Sequence, residues 1–279
     1  MVAVDGTALP APLAAAAQRL HDRLTACART APALAVAYSG GVDSRFLCLA
    51  LQREGIPFLA LHAGGPHVPE AESRAAIRRA EARGLRLEIV PFSPLALPEV
   101  AAGSRERCYA CKAGLVAALR ERLLRLGLPD ALLCDGSNAD DLHAYRPGLR
   151  ALREAGVASP LAEAGIAKAD LRRLGALWGL DDPGQAARPC LLTRLAYGCR
   201  PEEDTLRRLA DAEAALAALT AADGSPALGE LRLRLCPRPL LQHQRPLSSA
   251  RDSVESILRA TGFWPCDFRQ TTSVSGFFD

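Results

Sequence analysis

The stretch SGGVDS at Ser39–Ser44 constrains the fold of this chain more than any other part of its sequence. The run ALAVAY before it is typical of a short buried strand, and the pattern at Arg45–Gln52 after it is typical of a helix packed against a sheet. Glycines between a strand and a helix let the backbone approach a ligand closely, and the N–H groups at a helix start attract anions. The stretch therefore predicts a phosphate-binding loop, with a plain turn as the alternative. The chain lacks GxxxxGK[ST], so a Walker-type loop is excluded.

Apolar runs typical of strands recur in the first half of the chain and alternate with helical patterns. The strand-like runs are Ala33–Tyr38, Phe58–His62, Leu85–Val90 and Ala131–Asp135, and the main helical patterns are Glu70–Arg83 and Lys112–Leu126. This alternation predicts an α/β fold of the Rossmann-like kind, a parallel twisted sheet with helices on both faces. Because the carboxyl ends of parallel strands share one edge, we expect LHAGG and CDGSNADD to lie near the phosphate loop.

The length and composition predict two domains, since 279 residues with 49% apolar side chains can bury a large core. We expect an ATP-binding domain over residues 1–185 and a smaller α+β domain over residues 186–279. The smaller domain should contain a long helix at Pro201–Ala222, a strand at Gly229–Leu235 and a helix at Ala250–Thr261.

Charge and hydropathy favour a soluble, cytoplasmic protein. The formal net charge of +3 is too small to favour nucleic acid as a partner, and the basic residues are scattered among acidic ones. No apolar run is long enough to cross a bilayer, so we expect no membrane contact. The alanine-rich start lacks a basic segment and is typical of an amphipathic helix rather than a signal peptide.

The chain has nine cysteines, an odd number that argues against a simple disulfide framework. Three cysteines lie in apolar patterns and are typical of small buried hydrophobic residues: Cys27, Cys48 and Cys134. The pattern around two others, Cys236 and Cys266, does not decide their role. Cys108-x-x-Cys111 is a candidate redox pair at a helix start. With Cys190 and Cys199 it is also a candidate structural Cys₄ zinc site.

Three further motifs narrow the interpretation. They are CDGSNADDLHAYRPG at Cys134–Gly148, SPLAEAGIAKADLRRLGALWGL at Ser159–Leu180 and RPCLLTRLAYG at Arg188–Gly198. Together with the phosphate loop, which resembles the pyrophosphate loop of the adenine-nucleotide alpha hydrolases, they resemble the LarE family of ATP-dependent sulfur transferases. The resemblance implies adenylation of a pyridinium dicarboxylate mononucleotide by ATP with Mg²⁺, then conversion to a thiocarboxylate for nickel-pincer cofactor assembly.

The resemblance also implies roles for individual residues. Asp43 would serve the magnesium or pyrophosphate, Cys190 would bear the sulfur, and Arg194 would assist catalysis. The nucleotide would contact Ser39, Gly40, Gly41, Asp43, Ser44, Ala63 and Gly136.

The Cys-x-x-Cys motif is similar to that of family members that hold a [4Fe–4S] cluster. The resemblance implies that Cys108, Cys111 and Cys190 are the ligands, with the fourth iron open to an exchangeable sulfide. Cys199 is the complication, because a fourth cysteine ligand would close the cluster. A sulfide or persulfide donor would be the partner in that scheme, and we expect a homo-oligomer.

Arginines are the candidate ligands for the anionic substrate, because guanidinium groups bind phosphate and carboxylate bidentately. The candidates are Arg146, Arg194, Arg232 and Arg234. Arg232 and Arg234 are two apart in a strand pattern and resemble a family pair that grips a substrate phosphate, with a solvated strand face as the alternative. Val274 stands where the family usually has an arginine, so one substrate contact is either missing or supplied by Arg269.

Two other functions fit parts of the sequence. A tRNA thiolase shares the loop and a three-cysteine cluster, but the chain has little net charge and no interleaving of aromatic and basic residues. A nucleotide-binding iron–sulfur carrier without catalysis is the second alternative.

Overall fold

The computed structural model of the protein describes residues 9–143, 147–187 and 190–274. It divides into two compact units, each assembled from separate stretches of chain. The first comprises Met1–Gly65, Glu70–Pro94 and Cys108–Arg188, and the second comprises Pro66–Pro69, Leu95–Arg107 and Pro189–Asp279.

Helices and strands alternate through most of the described chain. The helices are α1 Ala11–Thr30, α2 Val42–Arg53, α3 Glu70–Ala82, α4 Pro98–Ala101, α5 Arg107–Arg125, α6 Pro147–Glu154, α7 Pro160–Glu163, α8 Lys168–Leu177, α9 Glu203–Ala217 and α10 Arg251–Ala260. The strands are β1 Leu34–Ala37, β2 Leu59–Gly64, β3 Leu87–Pro91, β4 Leu132–Cys134, β5 Leu231–Cys236, β6 Arg238–His243 and β7 Asp267–Gln270. None of these helices combines the length and apolar character that crossing a bilayer requires.

The first unit contains a four-stranded sheet with the order β3-β2-β1-β4, and every pairing in it is parallel. The central strand β1 pairs Ala35 with Leu59 of β2 and Leu34 with Leu132 of β4. The predicted parallel α/β fold is therefore confirmed. Because all four strands run the same way, the loops after β1, β2 and β4 leave from the same edge.

Both faces of this sheet are covered by helices, because successive strand residues point to opposite sides. On β1, Leu34 and Val36 join one apolar cluster with residues of α1, α2, α3 and α8, whereas Ala35 joins a second cluster with residues of α5 and α6. Such two-sided burial explains why the strands read as continuous apolar runs rather than alternating ones.

The second unit contains a small mixed sheet of order β5-β6-β7, in which β5 and β6 are antiparallel and β6 and β7 are parallel. Its core includes Leu206 and Leu209 of α9 and Val254 and Leu258 of α10, all fully buried. The expected smaller α+β unit is therefore present.

The beginning of α5 differs from the sequence expectation, which put Cys108 and Cys111 just before a helix. The helix begins at Arg107, so both cysteines lie inside it. The reason is a cap at Ser104, whose Oγ accepts the N–H of Glu106 at 3.1 Å and whose carbonyl accepts the N–H of Arg107 at 3.2 Å. Serine is a favoured residue at this position because its hydroxyl satisfies an N–H group at the helix start.

Candidate active site

The loop at Ser39–Ser44 connects β1 to α2 and is ordered by its own hydrogen bonds. The hydroxyls of Ser39 and Ser44 lie 3.2 Å apart, Ser44 Oγ donates to the carbonyl of Gly41 at 3.1 Å, and the Gly41 N–H donates to Ser39 Oγ at 3.3 Å. Gly41 is the N-cap of α2, and within the described chain no side chain caps this helix. The N–H groups of the first turn are therefore available to an anion.

Gly40 shows how closely α3 approaches this loop. Its φ is +76°, and a Cβ added there would lie 2.3 Å from the Cβ of Ala76. The strand end before the loop is held as well, because His62 Nδ1 donates to the carbonyl of Tyr38 at 2.9 Å. In the neutral ring His62 Nε2 then accepts from the hydroxyl of Ser73 at 2.6 Å. The sequence analysis missed both His62 and Ser73.

The loop after β4 packs directly on the phosphate loop. A Cβ on Gly136 would lie 2.8 Å from the backbone nitrogen of Ser44, so glycine is required for this approach. The neighbouring Asp135 is buried and accepts hydrogen bonds from Ser137 Oγ at 2.5 Å and Ser159 Oγ at 2.7 Å. The expected meeting of these two loops at one sheet edge is confirmed.

Asp43 is held by a lysine that the sequence analysis did not single out. Lys168 Nζ lies 2.6 Å and 2.5 Å from the two carboxylate oxygens of Asp43, and Asn138 Nδ2 donates to Asp43 Oδ1 at 3.3 Å. Lys168 is the first residue of α8, and its side chain is 29% exposed. The site thus combines a carboxylate, an ammonium group and two hydroxyls beside a helix start, which suits a phosphate ester and its cation.

Ala63 lies near the end of β2, where it pairs with Val90 of β3, and it is half-buried. Its predicted contact with the nucleotide stays a prediction.

Cys190 begins a short 3₁₀ turn at Leu191–Arg194 in the second unit and is half-buried. Its carbonyl accepts the N–H of Thr193 at 3.1 Å and the hydroxyl of Thr193 at 2.8 Å. The next residue, Leu191, donates its N–H to the carbonyl of His67 at 2.9 Å. The backbone that follows the candidate sulfur-bearing cysteine is therefore held by hydrogen bonds.

Arg194 at the end of this turn is 4% exposed and forms a bidentate ion pair with Glu213 of α9, at 2.9 Å and 2.8 Å. Glu213 Oε1 also accepts the N–H of Leu233 on β5 at 2.8 Å. Arg194 and Glu213 thus join the turn that carries Cys190 to α9 and to β5. This is a structural role for Arg194, in addition to the catalytic role that the sequence predicts.

Arg234 is also buried, and its donors bind acceptors of the protein. Its Nε donates to Gln242 Oε1 at 2.9 Å, Nη1 to the carbonyl of Thr193 at 2.7 Å and Nη2 to the carbonyl of Val274 at 2.5 Å. Arg232 is half-buried and donates to its neighbour's carbonyl at 2.7 Å. The binding of a substrate phosphate by Arg232 and Arg234 together stays a prediction. The fourth candidate arginine, Arg146, lies outside the described residues.

The remaining candidate cysteines are half-buried and fall in different units. Cys108 and Cys111 belong to the first unit, and Cys199 belongs with Cys190 to the second. Within the second unit, the stretch before α5 packs on the stretch around Cys199, since a Cβ on Gly103 would lie 2.4 Å from the Cys199 carbonyl oxygen.

Four further cysteines that the structure describes are buried. They are Cys27, Cys48, Cys134 and Cys266. Burial raises the pKa of Cys48, and it raises the pKa of Cys266 to about 11. A hydrogen bond with Cys27, together with burial, raises the pKa of Cys134. Cys48, Cys134 and Cys266 are therefore inert thiols, as small buried hydrophobes should be.

In the ranges that the structure describes, no group of three or more His, Cys, Asp or Glu side chains is arranged to hold a metal ion. The assignment of Cys108, Cys111 and Cys190 as cluster ligands stays a prediction.

Taken together, the fold and the loop define an α/β domain with an anion-binding loop at the carboxyl edge of a parallel sheet. No protein-family model matches the chain. An uncharacterized protein of Synechocystis sp. (strain ATCC 27184 / PCC 6803 / Kazusa) is 37% identical over 179 residues, which cover 64% of this chain and 66% of that protein. The chain thus spans just under two thirds of this relative's length.

Two more distant relatives extend the comparison. An uncharacterized protein of Methanocaldococcus jannaschii is 29% identical over 178 residues, which cover 64% of this chain and 67% of the relative. The pyridinium-3,5-bisthiocarboxylic acid mononucleotide synthase of Lactiplantibacillus plantarum is 28% identical over 200 residues, covering 70% of this chain and 71% of the synthase. This chain is therefore a distant homologue of that LarE synthase.

Proposed function

We propose that the protein is an ATP-dependent sulfur transferase that adenylates the carboxylate of a pyridinium mononucleotide and converts it to a thiocarboxylate for the nickel-pincer cofactor. The observation that carries the proposal is the loop Ser39–Ser44, with Asp43 held between Lys168 and Asn138. The homology to a synthase named for a bisthiocarboxylic mononucleotide supports the substrate class.

The loop fits the triphosphate of ATP. The first-turn N–H groups of α2 and the hydroxyls of Ser39 and Ser44 would bind phosphate oxygens, and Lys168 would neutralise part of their charge. Asp43 is the oxygen donor suited to Mg²⁺, which supplies charge neutralisation on the phosphates when it is bound.

Adenylation solves a chemical difficulty of the reaction. A carboxylate resists attack by a sulfur nucleophile because it is already anionic and its oxygen is a poor leaving group. When a carboxylate oxygen attacks the α-phosphorus of ATP, pyrophosphate leaves and a mixed anhydride with AMP forms. A sulfur nucleophile can then attack the carbonyl carbon, and AMP leaves with the original oxygen.

We propose that Cys190 is the residue at which sulfur is delivered. Its half-buried thiol lies on a turn that the His67 carbonyl and the Arg194–Glu213 pair hold in place. Two sources of sulfur are consistent with this position. Cys190 could surrender its own sulfur and become dehydroalanine, or a [4Fe–4S] cluster on Cys108, Cys111 and Cys190 could carry an exchangeable sulfide.

The first experiment measures pyrophosphate release with ATP and the pyridinium mononucleotide. Asp43→Ala should abolish pyrophosphate release while circular dichroism shows an intact fold, because the loop loses its only carboxylate. Cys190→Ser should retain pyrophosphate release but form no thiocarboxylate. Full turnover by Asp43→Ala would contradict the ATP site.

The second experiment identifies the source of sulfur. Protein purified without oxygen is analysed for iron, sulfide and zinc, and its mass is measured before and after a single turnover. Iron and sulfide that disappear in each of the three cysteine-to-serine variants, but not in Cys199→Ser, would support the cluster. Loss of hydrogen sulfide from Cys190 after turnover would support the sacrificial route, and stoichiometric zinc would contradict both.

Two further expectations belong to this proposal. The enzyme should act in the cytoplasm, where its sulfide or persulfide donor would be available, and it should form a homo-oligomer. Light scattering of the purified protein tests the second.

A further inference from the structure

Arg45 follows Ser44 in the first turn of α2, yet its side chain is 2% exposed. Its guanidinium group is bound by the turn after α8. Nη1 donates to the carbonyl of Asp181 at 2.5 Å and lies 2.8 Å from the Asp181 carboxylate. Nη2 donates to the carbonyl of Asp182 at 3.1 Å and to Gln185 Oε1 at 2.7 Å. One buried side chain therefore holds the whole turn Asp181–Gln185.

Other charges converge on the same turn. The Asp181 carboxylate also lies 3.2 Å from Arg79 Nε, which α3 contributes, and 3.9 Å from Arg83 Nε. Asp182 has a φ of +43°, a left-handed conformation that a non-glycine residue keeps only where its surroundings hold it. The hydrogen bond from Arg45 to the Asp182 carbonyl provides that support.

As a result, α8 is attached to α2 at its first residue and again just after its last. At its first residue, Lys168 forms the ion pair with Asp43. After its last residue, the ring of Trp178 stacks on Phe46 with centroids 5.4 Å apart and planes 9° apart, and the turn on Arg45 follows. At 1.5 Å per residue, α8 separates the two attachments by about 15 Å.

The two attachments respond differently to a bound nucleotide. A triphosphate in the loop offers Lys168 a second anionic partner and competes with Asp43 for its ammonium group. The partners of Arg45 are backbone carbonyls and side chains of the turn, which a nucleotide does not replace. The Arg45 attachment therefore persists while the Lys168 attachment changes.

We propose that Arg45 is a positioning residue for nucleotide binding, which holds α8 on α2 while Lys168 exchanges Asp43 for the triphosphate. The inference rests on the proposed ATP site and gives Arg45 itself no contact with the nucleotide. Without Arg45, the loss of the Lys168–Asp43 pair would leave only apolar packing, such as that of Leu171 and Leu174, to hold α8, and restoring the position of Lys168 would weaken ATP binding.

A double-mutant cycle tests this coupling. The dissociation constant of ATP is measured by calorimetry for the wild type, Arg45→Gln, Lys168→Ala and the double variant. Introduced into the wild-type protein, Arg45→Gln should weaken ATP binding about tenfold. Introduced into the Lys168→Ala variant, it should cause no further loss of ATP affinity, because the effect of Arg45 on binding acts through Lys168. A merely structural role would lower the melting temperature and give additive losses in binding.

Two variants keep the test decisive. Gln185→Ala removes one acceptor of Arg45 from a half-buried position, so it should show the same coupling on a smaller scale if Arg45→Gln fails to fold. Arg74→Gln is the control, because Arg74 is an exposed arginine of α3 whose carboxylate partner, Glu70, lies on its own helix; the ATP affinity of this variant should not change. Additive losses with tight wild-type binding would overturn this inference alone. A wild type that binds no ATP would overturn the proposed function and this inference together.

Discussion

At the scale of single residues, Gly40 meets two independent demands. Its φ of +76° is a left-handed conformation, and the space where a Cβ would stand is filled by the Cβ of Ala76. The conformational demand alone would admit asparagine at a modest cost, but the contact with α3 admits no side chain. The close packing of α3 against the loop therefore depends on residue 40 having a hydrogen atom in place of a side chain.

We predict that Gly40→Ala weakens ATP binding by at least about tenfold, because either the loop or α3 must move to relieve the contact. Calorimetric titration with ATP measures the loss of affinity, and thermal unfolding measures the loss of stability.

Gly55→Ala is the control for backbone strain. Gly55 has a similar φ of +64°, but nothing lies within 4 Å of its added Cβ. It should lose about 1 kcal/mol of unfolding free energy and keep its ATP affinity. Equal losses of ATP affinity in the two variants would show that the contact with Ala76 does not matter.

Lys168 illustrates what sequence reasoning could not reach at this scale. It is 125 residues from Asp43 along the chain, and its motif was recognised as a whole without a role for this residue. Their contact arises because α8 packs on α2. No local sequence pattern predicts that packing. The glycines of the loop, in contrast, indicate from the sequence alone that the backbone there must adopt an unusual conformation or approach a ligand closely.

At the scale of elements, the turn that carries Cys190 depends on one buried ion pair. Glu213 of α9 binds the guanidinium group of Arg194 and the N–H of Leu233 on β5. Removing one partner of such a pair leaves the other charge buried without compensation. The position of Cys190 is thus set by a helix that follows it in the chain.

We predict that Glu213→Ala lowers the free energy of unfolding by about 3 kcal/mol or more, because Arg194 stays buried without its carboxylate. Urea unfolding followed by circular dichroism measures this change.

Glu255→Ala is the matched surface control. Glu255 pairs with Arg251 and Arg259 at 3.1 Å and 3.6 Å, and both arginines are more than half exposed. Exposed pairs contribute less than about 1 kcal/mol, so this variant should unfold close to the wild type. A Glu213→Ala protein as stable as Glu255→Ala would refute the role given to the buried pair.

The elements themselves were largely predictable. The four parallel strands were found within one or two residues of their bounds, because strands buried on both faces produce continuous apolar runs. The start of α5 was missed, because its cap at Ser104 lies outside the apolar pattern. The partners of Arg194 and Arg234 were also missed, because spacing shows which face an arginine shares but not which acceptor it finds.

At the scale of the whole molecule, several buried groups bind their protons more tightly in the folded state. Burial raises the pKa of Tyr38 from 10.0 to about 12 and that of Cys266 from 9.0 to about 11. Between these values the unfolded chain has lost protons that the folded protein keeps. Stability therefore falls as the pH rises through this window.

We predict that the urea midpoint declines steeply between pH about 9 and pH about 12, because each raised pKa favours the unfolded state there. Tyr38→Phe should flatten the part of this decline above pH about 10, since it removes the phenol while keeping the ring. It also loses the hydrogen bond from Tyr38 to the Ala76 carbonyl, so its stability near neutral pH should be lower. An unchanged slope above pH about 10 in this variant would contradict the assignment to Tyr38.

The unequal burial of the cysteines has a consequence for a cell under oxidative stress. Peroxide reaches exposed thiolates first, and among the cysteines that the structure describes the half-buried ones are Cys199 and the three assigned to sulfur chemistry, Cys108, Cys111 and Cys190. Near the phosphate loop, Cys48 of α2 and Cys134 of β4 are fully buried and inaccessible. For the proposed sulfur transferase, oxidised protein is therefore expected to stay folded and to keep releasing pyrophosphate after sulfur delivery has stopped, so that adenylate is formed without being used.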